Sequence, residues 1–284
     1  MRPLLVVDGD SFAHRAYHAI PKTVRRADGR PAGLLVGVGN ALVRLWEEEQ
    51  PRATVVCWDT LTEPTYRHTE LPAYQGGREF DDALLEQLDL APQLVEAMGL
   101  VCAKAPGYEA DDFVAAAAAA EEARGGSALV ASSDRDMFQL ASERTTILQP
   151  QRGGGAFLRI GPAEVRERYG VEPAQVPDFI ALRGDPSDRI PGARGVGAKT
   201  AADVLRRHPS LEDALAAGRF AAEADDLRLY RRIATMDRDA PLPPLDDQEP
   251  TWDRGASLAD EWGLARLAAR LRELAAERER SSTS

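Results

Sequence analysis

The chain opens with Leu4-Leu5-Val6-Val7-Asp8-Gly9-Asp10, an apolar run that ends in two acids. A continuous apolar run of this length is typical of a strand buried on both faces of a parallel sheet. Four similar runs follow, separated by stretches in which apolar residues recur at helical spacing. This alternation predicts an α/β fold with a central, mostly parallel sheet. The predicted strands are 3–7, 53–58, 100–103, 127–131 and 145–148, and the predicted helices are about 11–19, 34–48, 82–98, 110–123 and 136–142.

The second half of the chain has a different pattern. Beyond about residue 161 the strand signals end, and helical stretches are separated by prolines. We therefore predict an α/β domain over residues 1–160, a helical domain over 161–275 and a polar tail at 276–284. Apolar residues at helical spacing across 258–274 predict a helix that packs back on the body of the protein.

The overall charge weighs against a nucleic-acid partner at first sight. The 284 residues include 46 acids and 35 basic residues, a net charge of −11, whereas phosphate binding favours basic surfaces. Nine of the 46 acids are candidate site residues in the motifs described below, which leaves 37 acids against the 35 basic residues. The rest of the chain is therefore nearly balanced in charge.

Other function classes are disfavoured by composition. No apolar run approaches the roughly 18 residues of a membrane span, and the first residues lack a signal-peptide core, so we expect a cytoplasmic protein. The two cysteines, Cys57 and Cys102, lie in apolar runs, and the four histidines show no zinc-ligand spacing. A metal bound here would therefore have oxygen ligands.

Five acidic clusters indicate the chemistry. A lone acid of this kind is commonly a helix cap, but acids at the C-terminal ends of parallel strands meet at one edge of the sheet, where α/β proteins bind ligands. In the third cluster, Glu109 and Asp112 also share one face of a predicted helix. The clusters are Val7-Asp8-Gly9-Asp10-Ser11, Val56-Cys57-Trp58-Asp59, Gly107-Tyr108-Glu109-Ala110-Asp111-Asp112, Ser132-Ser133-Asp134-Arg135-Asp136 and Gly184-Asp185-Pro186-Ser187-Asp188.

So many like charges at one edge repel each other unless cations lie among them. Ligands that are all oxygen favour Mg²⁺ or Mn²⁺. A site with this many acids can hold two ions, the arrangement suited to in-line cleavage of a phosphodiester.

A glycine-rich segment, residues 190–201, joins two predicted helices. It is not a nucleotide-binding P-loop, because Ala198 separates Gly197 from Lys199 and no strand precedes it. We interpret it as a helix–hairpin–helix phosphate clamp, with a purely structural turn as the alternative. The proposed DNA-binding residues here are Arg194, Gly195, Gly197, Lys199 and Thr200.

These motifs together resemble the bacterial 5′-3′ exonuclease domain of DNA polymerase I and its stand-alone relatives, within the flap endonuclease superfamily. The matching stretches occur in the order VDGDSFAHRAYHA, WDTLTEPTYRHTELPAYQGGR, GYEADD, SSDRDMFQL and GDPSDRIPGARGVGAKTA. The resemblance extends to about residue 274 and includes no polymerase module, so we expect a free-standing nuclease.

The resemblance implies a PIN-like nuclease fold with a helical arch at about residues 60–98 and a helix-three-turn-helix DNA clamp. It implies a monomeric 5′ nuclease of DNA replication or repair that cuts at 5′ ends, flaps and nicks, with RNA–DNA hybrids left open as substrates. It also implies K⁺ in the hairpin. One divalent metal would lie near Asp8, Asp59, Glu109, Asp111 and Asp112, and a second near Asp134, Asp136, Asp185 and Asp188.

The resemblance also assigns residues that contact the substrate. Arg67, Tyr74 and Arg78 match the base of the arch, which orients the scissile phosphate and stacks on bases, and Arg15 matches a basic position of the first motif. The chain departs from the family at Gln75, where relatives usually have a lysine that contacts this phosphate.

Two other functions compete with this interpretation. Asp8-Gly9-Asp10 after a strand also suits a haloacid-dehalogenase-type phosphatase, but that class leaves the hairpin and the third acidic cluster unexplained. The uncharged Gln75 would also suit a DNA-structure-binding protein with weak or lost catalysis. A pure binder, however, gains nothing from keeping nine mutually repelling acids.

Overall fold

A central six-stranded sheet organises the computed structural model, which describes residues 2–60, 63–77, 80–151 and 155–282. Five strands are parallel and the edge strand β6 is antiparallel to β5. The strand order is β3-β2-β1-β4-β5-β6, so β1 lies inside the sheet. The strands are β1 (Leu4–Asp8), β2 (Ala53–Cys57), β3 (Val101–Ala103), β4 (Ala128–Ala131), β5 (Thr145–Gln149) and β6 (Leu158–Ile160).

The five predicted strands are confirmed, with shifts of at most one residue at their ends. Each residue of β1, β2 and β4 is buried, which explains why these strands appear as continuous apolar runs. The sequence did not predict β6. This strand has three residues, of which only Ile160 is buried, so it carries no apolar run.

Helices cover both faces of the sheet. One face packs mainly on α1, α2, α4, α11 and α12, and the other on α5, α7, α8 and α10. The helices are α1 (Gly9–Ala19), α2 (Gly33–Glu49), α3 (Tyr66–Glu70), α4 (Asp82–Ala97), α5 (Ala110–Ala123), α6 (Pro162–Tyr169), α7 (Val176–Arg183), α8 (Ala198–Arg207), α9 (Leu211–Ala216), α10 (Ala224–Ala234), α11 (Trp252–Glu261) and α12 (Ala265–Ser282). The predicted helix 136–142 is a short 3₁₀ helix, Asp136–Leu140.

Two predicted boundaries need correction. The helical unit predicted for 161–275 divides, because α11 and α12 pack with α2 and α4 on the opposite face of the sheet from α7 and α8. Its last part therefore belongs to the core of the α/β domain, as the apolar spacing of 258–274 indicated. The predicted arch, 60–98, is also too long, because Leu88, Leu94 and Val95 of α4 are fully or almost fully buried in that core. Only the segment before α4 is left for an arch.

The turns after the strands bring the acids to one place. Asp8 ends β1 and caps α1, because its side chain accepts a hydrogen bond from the backbone N–H of Ser11. Glu109 precedes α5 in a capping box with Asp112. Parallel strands in register therefore deliver these side chains to the same C-terminal edge of the sheet. None of the helices in the described residues is long and apolar enough to cross a membrane.

Candidate active site

A cavity of about 380 Å³ opens at this edge of the sheet. Carboxylates from all five acidic clusters face it, including six of the nine acids predicted to bind metal. We call it the carboxylate cavity. It is lined by Asp8, Asp10, Ser11, His14, Arg15, His18, Asp59, Gln75, Phe80, Glu109, Ala110, Asp111, Ser133, Asp134 and Asp188.

Asp8 lies at the base of the cavity and is only 4% exposed. Its Oδ1 accepts from the backbone N–H of Ser11 at 2.9 Å, and its Oδ2 accepts from the Ser132 hydroxyl at 2.6 Å. Burial raises the pKa of Asp8 to about 7, and repulsion from Asp134 and Asp59 adds to this effect, while the hydrogen bonds oppose it. The fold therefore holds this carboxylate rigidly but disfavours its charge.

Asp10 was absent from the predicted set of metal ligands, although it lies in the first cluster. Its Oδ2 accepts from the backbone N–H of Asp59 at 2.7 Å, and Asp59 in turn accepts from the backbone N–H of Ala110 at 2.7 Å. Burial and the nearby charge of Asp59 raise the pKa of Asp10 well above its ordinary value. The two-residue spacing from Asp8 around Gly9 is the sequence signal for it. A Cβ on Gly9 would lie 2.8 Å from the Trp58 ring, so glycine is needed at this position.

Asp111 faces the cavity from the first turn of α5. Burial raises its pKa well above the ordinary value, with further contributions from the charges of Asp8, Asp134 and Asp59. Desolvation and like charges thus act in the same direction on this carboxylate, and a cation bound nearby would reverse both.

The structure does not bring Asp112 to the cavity, which corrects its assignment as a metal ligand. Its side chain is fully buried, and its two oxygens accept from Nη1 and Nη2 of Arg67 at 2.8 and 2.6 Å. The backbone N–H groups of Glu109 and Asp237 also donate to it. Both carboxylate oxygens are therefore occupied by protein donors.

The same pair corrects the assignment of Arg67 as a residue that orients the phosphate. Arg67 is 3% exposed, and its Nε donates to the backbone carbonyl of Ile233 at 3.0 Å. The guanidinium therefore links α3 to α5 and α10, and the bidentate pair with Asp112 neutralises it.

Glu109, Tyr74 and Gln75 form a chain of hydrogen bonds along one wall of the cavity. Glu109 accepts from the Thr65 hydroxyl at 2.8 Å and from the Tyr74 hydroxyl at 2.9 Å. The amide nitrogen of Gln75 donates to the Tyr74 oxygen at 2.9 Å and to Oδ1 of Asp188 at 3.3 Å. Tyr74 is 4% exposed, so it positions Glu109 and presents little ring surface for stacking on bases.

The acids assigned to the second metal come from two segments, one that enters the 3₁₀ helix after β4 and one that follows α7. Burial raises the pKa of Asp136 well above its ordinary value, and the charges of Asp134, Asp188 and Asp185 raise it further. Asp185 already has partners, because it accepts from Arg183 at 2.8 Å and from the backbone and hydroxyl of Ser187. The pKa effect on Asp136 indicates that these acids are close together.

Two arginines predicted at the site have different outcomes. Arg15 lines the carboxylate cavity from α1, and its Nη2 donates to the backbone carbonyl of Gln151 at 2.5 Å. Arg78 lies outside the described residues.

The predicted phosphate clamp is exposed in the structure. Gly197 precedes α8, and Arg194, Lys199 and Thr200 are all exposed to solvent beside it. Gly195 has a φ of +73°, a left-handed conformation that favours glycine. The first turn of α8, whose backbone N–H groups have no partner within the helix, therefore lies close in the chain to two exposed cationic side chains.

The carboxylate cavity fits cations by the chemistry of its donors. Burial and mutual repulsion raise the pKa of Asp8, Asp10 and Asp111 together, which is the electrostatic situation that a divalent cation relieves. Within the described ranges, no three His, Cys, Asp or Glu side chains are already arranged to hold one ion. The carboxylates would therefore have to adjust their side-chain conformations around an ion.

Family comparisons agree with this architecture. The N-terminal resolvase-like domain of 5′-3′ exonucleases matches residues 3–170, and their C-terminal SAM fold matches residues 171–253. A 5′-3′ exonuclease of Mycobacterium tuberculosis is 31% identical, and the match covers 95% of this chain and 97% of that protein. DNA polymerase I of Mycobacterium bovis is 35% identical over 88% of this chain, but the chain spans only 29% of that relative.

Solved structures share the fold at low sequence identity. The 5′-exonuclease of T5, solved with zinc ions bound, aligns with a TM-score of 0.70 at 18% identity, covering 96% of this chain and 99% of the other. Human GEN1, solved with Holliday junction DNA, aligns with a TM-score of 0.63 at 13% identity, covering 95% and 70% of the two chains. These likenesses confirm the predicted PIN-like fold with its mostly parallel sheet, and the domain matches exclude the phosphatase alternative. Sequence motifs, fold and domain matches agree, and the chain belongs to the 5′-3′ exonuclease family.

Proposed function

We propose that this chain is a structure-specific 5′ nuclease that hydrolyses DNA phosphodiesters at 5′ ends and 5′ flaps with two divalent cations, Mg²⁺ or Mn²⁺. The observation that carries the proposal is the carboxylate cavity, whose buried acids have raised pKa values and lie at the ligand-binding edge of an α/β sheet. Family membership supports it independently.

Two groups of acids, seven of whose nine members line the cavity, would supply oxygen ligands for these cations. Asp111, from the first group, and Asp134, from the second, both line the cavity. Asp10 joins the first group, although it was not among the metal ligands predicted from the sequence. Bound cations would stabilise negative charge on the phosphoryl group and acidify the attacking water. The first group is Asp8, Asp10, Asp59, Glu109 and Asp111, and the second is Asp134, Asp136, Asp185 and Asp188.

Hydrogen bonds within the protein orient these ligands. Thr65 and Tyr74 fix the two oxygens of Glu109, and Ser132 fixes one oxygen of Asp8. The remaining lone pairs of these carboxylates are directed by such contacts, as is usual for residues that hold a metal. Arg78 is proposed to orient the scissile phosphate, and Arg15, which lines the cavity, to bind the DNA.

The hairpin before α8 would hold the duplex by its backbone. Gly197 has a φ of −98°, which any residue can adopt, and a Cβ there would meet nothing within 4 Å. The fold itself therefore does not require glycine at 197, whereas close approach of a phosphate to the helix N-terminus does. Lys199 and Arg194 would add charge without reading the base sequence. A K⁺ ion held by hairpin carbonyl oxygens belongs to the same proposal.

The biological setting is also proposed. Similarity to DNA polymerase I supports a role in DNA replication or repair, with RNA–DNA hybrids as a substrate to be tested. A monomer is supported by the small amount of apolar surface, since Leu158 is the large hydrophobic side chain exposed in the described part of the chain.

Cleavage of four labelled DNAs tests this function. Wild-type protein should cut 5′-flap and nicked duplexes in Mg²⁺ and cut neither after treatment with EDTA, whereas gapped and single-stranded DNAs define its preference. Asp134→Ala should bind the flap at least as tightly as wild type without cutting it, because a negative charge near phosphate is removed. Binding without cleavage by the wild type at any Mg²⁺ or Mn²⁺ concentration would instead support a DNA-structure-binding protein.

A further inference from the structure

Two residues with unusual backbone conformations lie in segments that contact each other beside the carboxylate cavity. Gln75 has a φ of +47° and Arg189 a φ of +56°, in the left-handed region that favours glycine and asparagine. The backbone N–H of Gln75 donates to the carbonyl of Asp188 at 3.3 Å, so the two segments are in direct contact. Strained residues that the surrounding structure holds in place are concentrated at functional sites.

Glycines make room for the side chain of Arg189. A Cβ on Gly77 would lie 2.7 Å from Nη2 of Arg189, and one on Gly76 would lie 3.2 Å from Nη1. Gly77 also has a φ of +77°, whereas Gly76 does not have a positive φ, and a Cβ there would meet both the Arg189 guanidinium and the backbone carbonyl of Ala73 at 3.2 Å. The guanidinium of Arg189 can therefore lie against the backbone of Gly76 and Gly77.

The guanidinium lies where an anion can reach it. Arg189 is exposed, and its neighbours Asp188 and Gln75 both line the carboxylate cavity. The ion pairs recorded among the described residues include none for Arg189, whereas Arg67 is neutralised by Asp112 and Arg183 is paired with Asp185. A planar guanidinium can hold two oxygens of one phosphate at once.

We propose that Arg189 contacts a substrate phosphate at the mouth of the carboxylate cavity, and that Gln75 is a positioning residue that holds the Asp188–Arg189 loop in place. This inference rests on the proposed nuclease function and adds a substrate contact to it. Arg189, in the loop before the hairpin, then provides a phosphate contact that residue 75 does not. Gln75 has a positioning role, which needs no charge.

The decisive variant is Arg189→Gly, because glycine is at ease in the left-handed conformation and should leave stability unchanged or higher. We expect the single-turnover rate on a 5′-flap DNA in Mg²⁺ to fall roughly 10- to 100-fold. The slope of log binding constant against log salt, measured on the same DNA in Ca²⁺, should fall by about one phosphate contact. Arg189→Lys should retain part of both because the charge remains.

A matched control is Arg254→Ala on α11, which removes an exposed positive charge from a helix packed against α4. It should leave the rate and the salt slope close to wild type. Adding Gln75→Lys to Arg189→Gly should recover part of the lost rate, because it returns a positive charge to the same mouth. Gln75→Met, which keeps the size but not the hydrogen bonds, should lower the rate less than Arg189→Gly and leave the salt slope unchanged.

An Arg189→Gly protein with wild-type rate and salt slope would overturn the proposal. A slope that falls equally in Arg254→Ala would overturn it too, because the effect would then be one of general charge. If wild type cuts no DNA, the nuclease function fails separately, and the salt slope of Arg189→Gly still decides whether Arg189 contacts phosphate.

Discussion

Asp111 and Asp112 are consecutive in the chain, yet they occupy opposite electrostatic surroundings. Asp111 faces the carboxylate cavity among other acids, and burial with their repulsion raises its pKa well above the ordinary value. Asp112 is fully buried one residue further along α5, where Arg67 donates two hydrogen bonds to it. Arg67 is the cation that neutralises Asp112, whereas Asp111 requires a metal cation from solution. We therefore expect Asp112 to serve stability and Asp111 to serve catalysis.

The largest expected effect is on catalysis when divalent metal is removed. Cleavage of a 5′-flap DNA should fall by roughly 10³ or more after chelation, because the carboxylates left without ions repel the phosphate and cannot stabilise its negative charge. Adding Mg²⁺ or Mn²⁺ should restore the rate, measured under single-turnover conditions. Undiminished cleavage after exhaustive chelation would mean that the acids serve another purpose.

The next largest effect is on stability, at the buried pair. Asp112→Asn should lower the free energy of unfolding by about 3–5 kcal/mol, because it leaves the Arg67 guanidinium buried without a counter-charge. Urea denaturation with metal present measures it. The double variant Arg67→Met/Asp112→Asn removes both charges and should regain much of the loss. A single variant as stable as wild type would show that the pair is of little structural importance.

A smaller effect concerns pH in metal-free protein. The folded-state pKa of Asp8 is raised to about 7, so its contribution to stability is complete at acid pH and is lost as pH rises toward and through 7. Between pH 5 and 8 the free energy of unfolding should fall by roughly 3 kcal/mol from Asp8 alone. Thermal or urea unfolding in EDTA checks this, and Asp8→Asn should flatten the dependence. Rising stability over this range would contradict the raised pKa.

The smallest effect is expected at the hairpin. Lys199→Ala with Arg194→Ala should weaken duplex binding to the same degree for all base sequences and reduce the salt slope by about two contacts. Fluorescence anisotropy at several salt concentrations measures this, with Arg254→Ala as the matched loss of charge. Loss of binding to some base sequences only would indicate base readout and not a backbone clamp.

The sequence predicted the sheet and most of the carboxylate cavity for a simple physical reason. Parallel strands place their C-terminal residues at one edge, so acids that follow apolar runs, such as Asp8, Asp59 and Asp134, are brought together by the fold class itself. The same argument reached Asp111, because the start of α5 follows the edge strand β3. For these residues, the local sequence pattern is enough to predict their position in the fold.

Long-range pairing could not be predicted in this way. Arg67 and Asp112 are 45 residues apart, and nothing in either local motif shows that one neutralises the other. The position of α11 and α12 on the opposite face of the sheet from α8 depends on tertiary packing, which apolar spacing alone does not specify. Arg189 was missed because its left-handed backbone and the glycines opposite it are visible only in three dimensions.

The most direct test compares the two neighbouring acids in one assay. Single-turnover cleavage of a 5′-flap DNA at saturating Mg²⁺ is measured for wild type, Asp111→Asn and Arg67→Met/Asp112→Asn, each at a temperature where unfolding curves show it fully folded. Asp111→Asn should lose roughly 10³ in rate, while the double variant should stay within roughly tenfold of wild type. A folded double variant as inactive as Asp111→Asn would show that Asp112 leaves Arg67 to take part in catalysis, and would contradict the division of roles between the two acids.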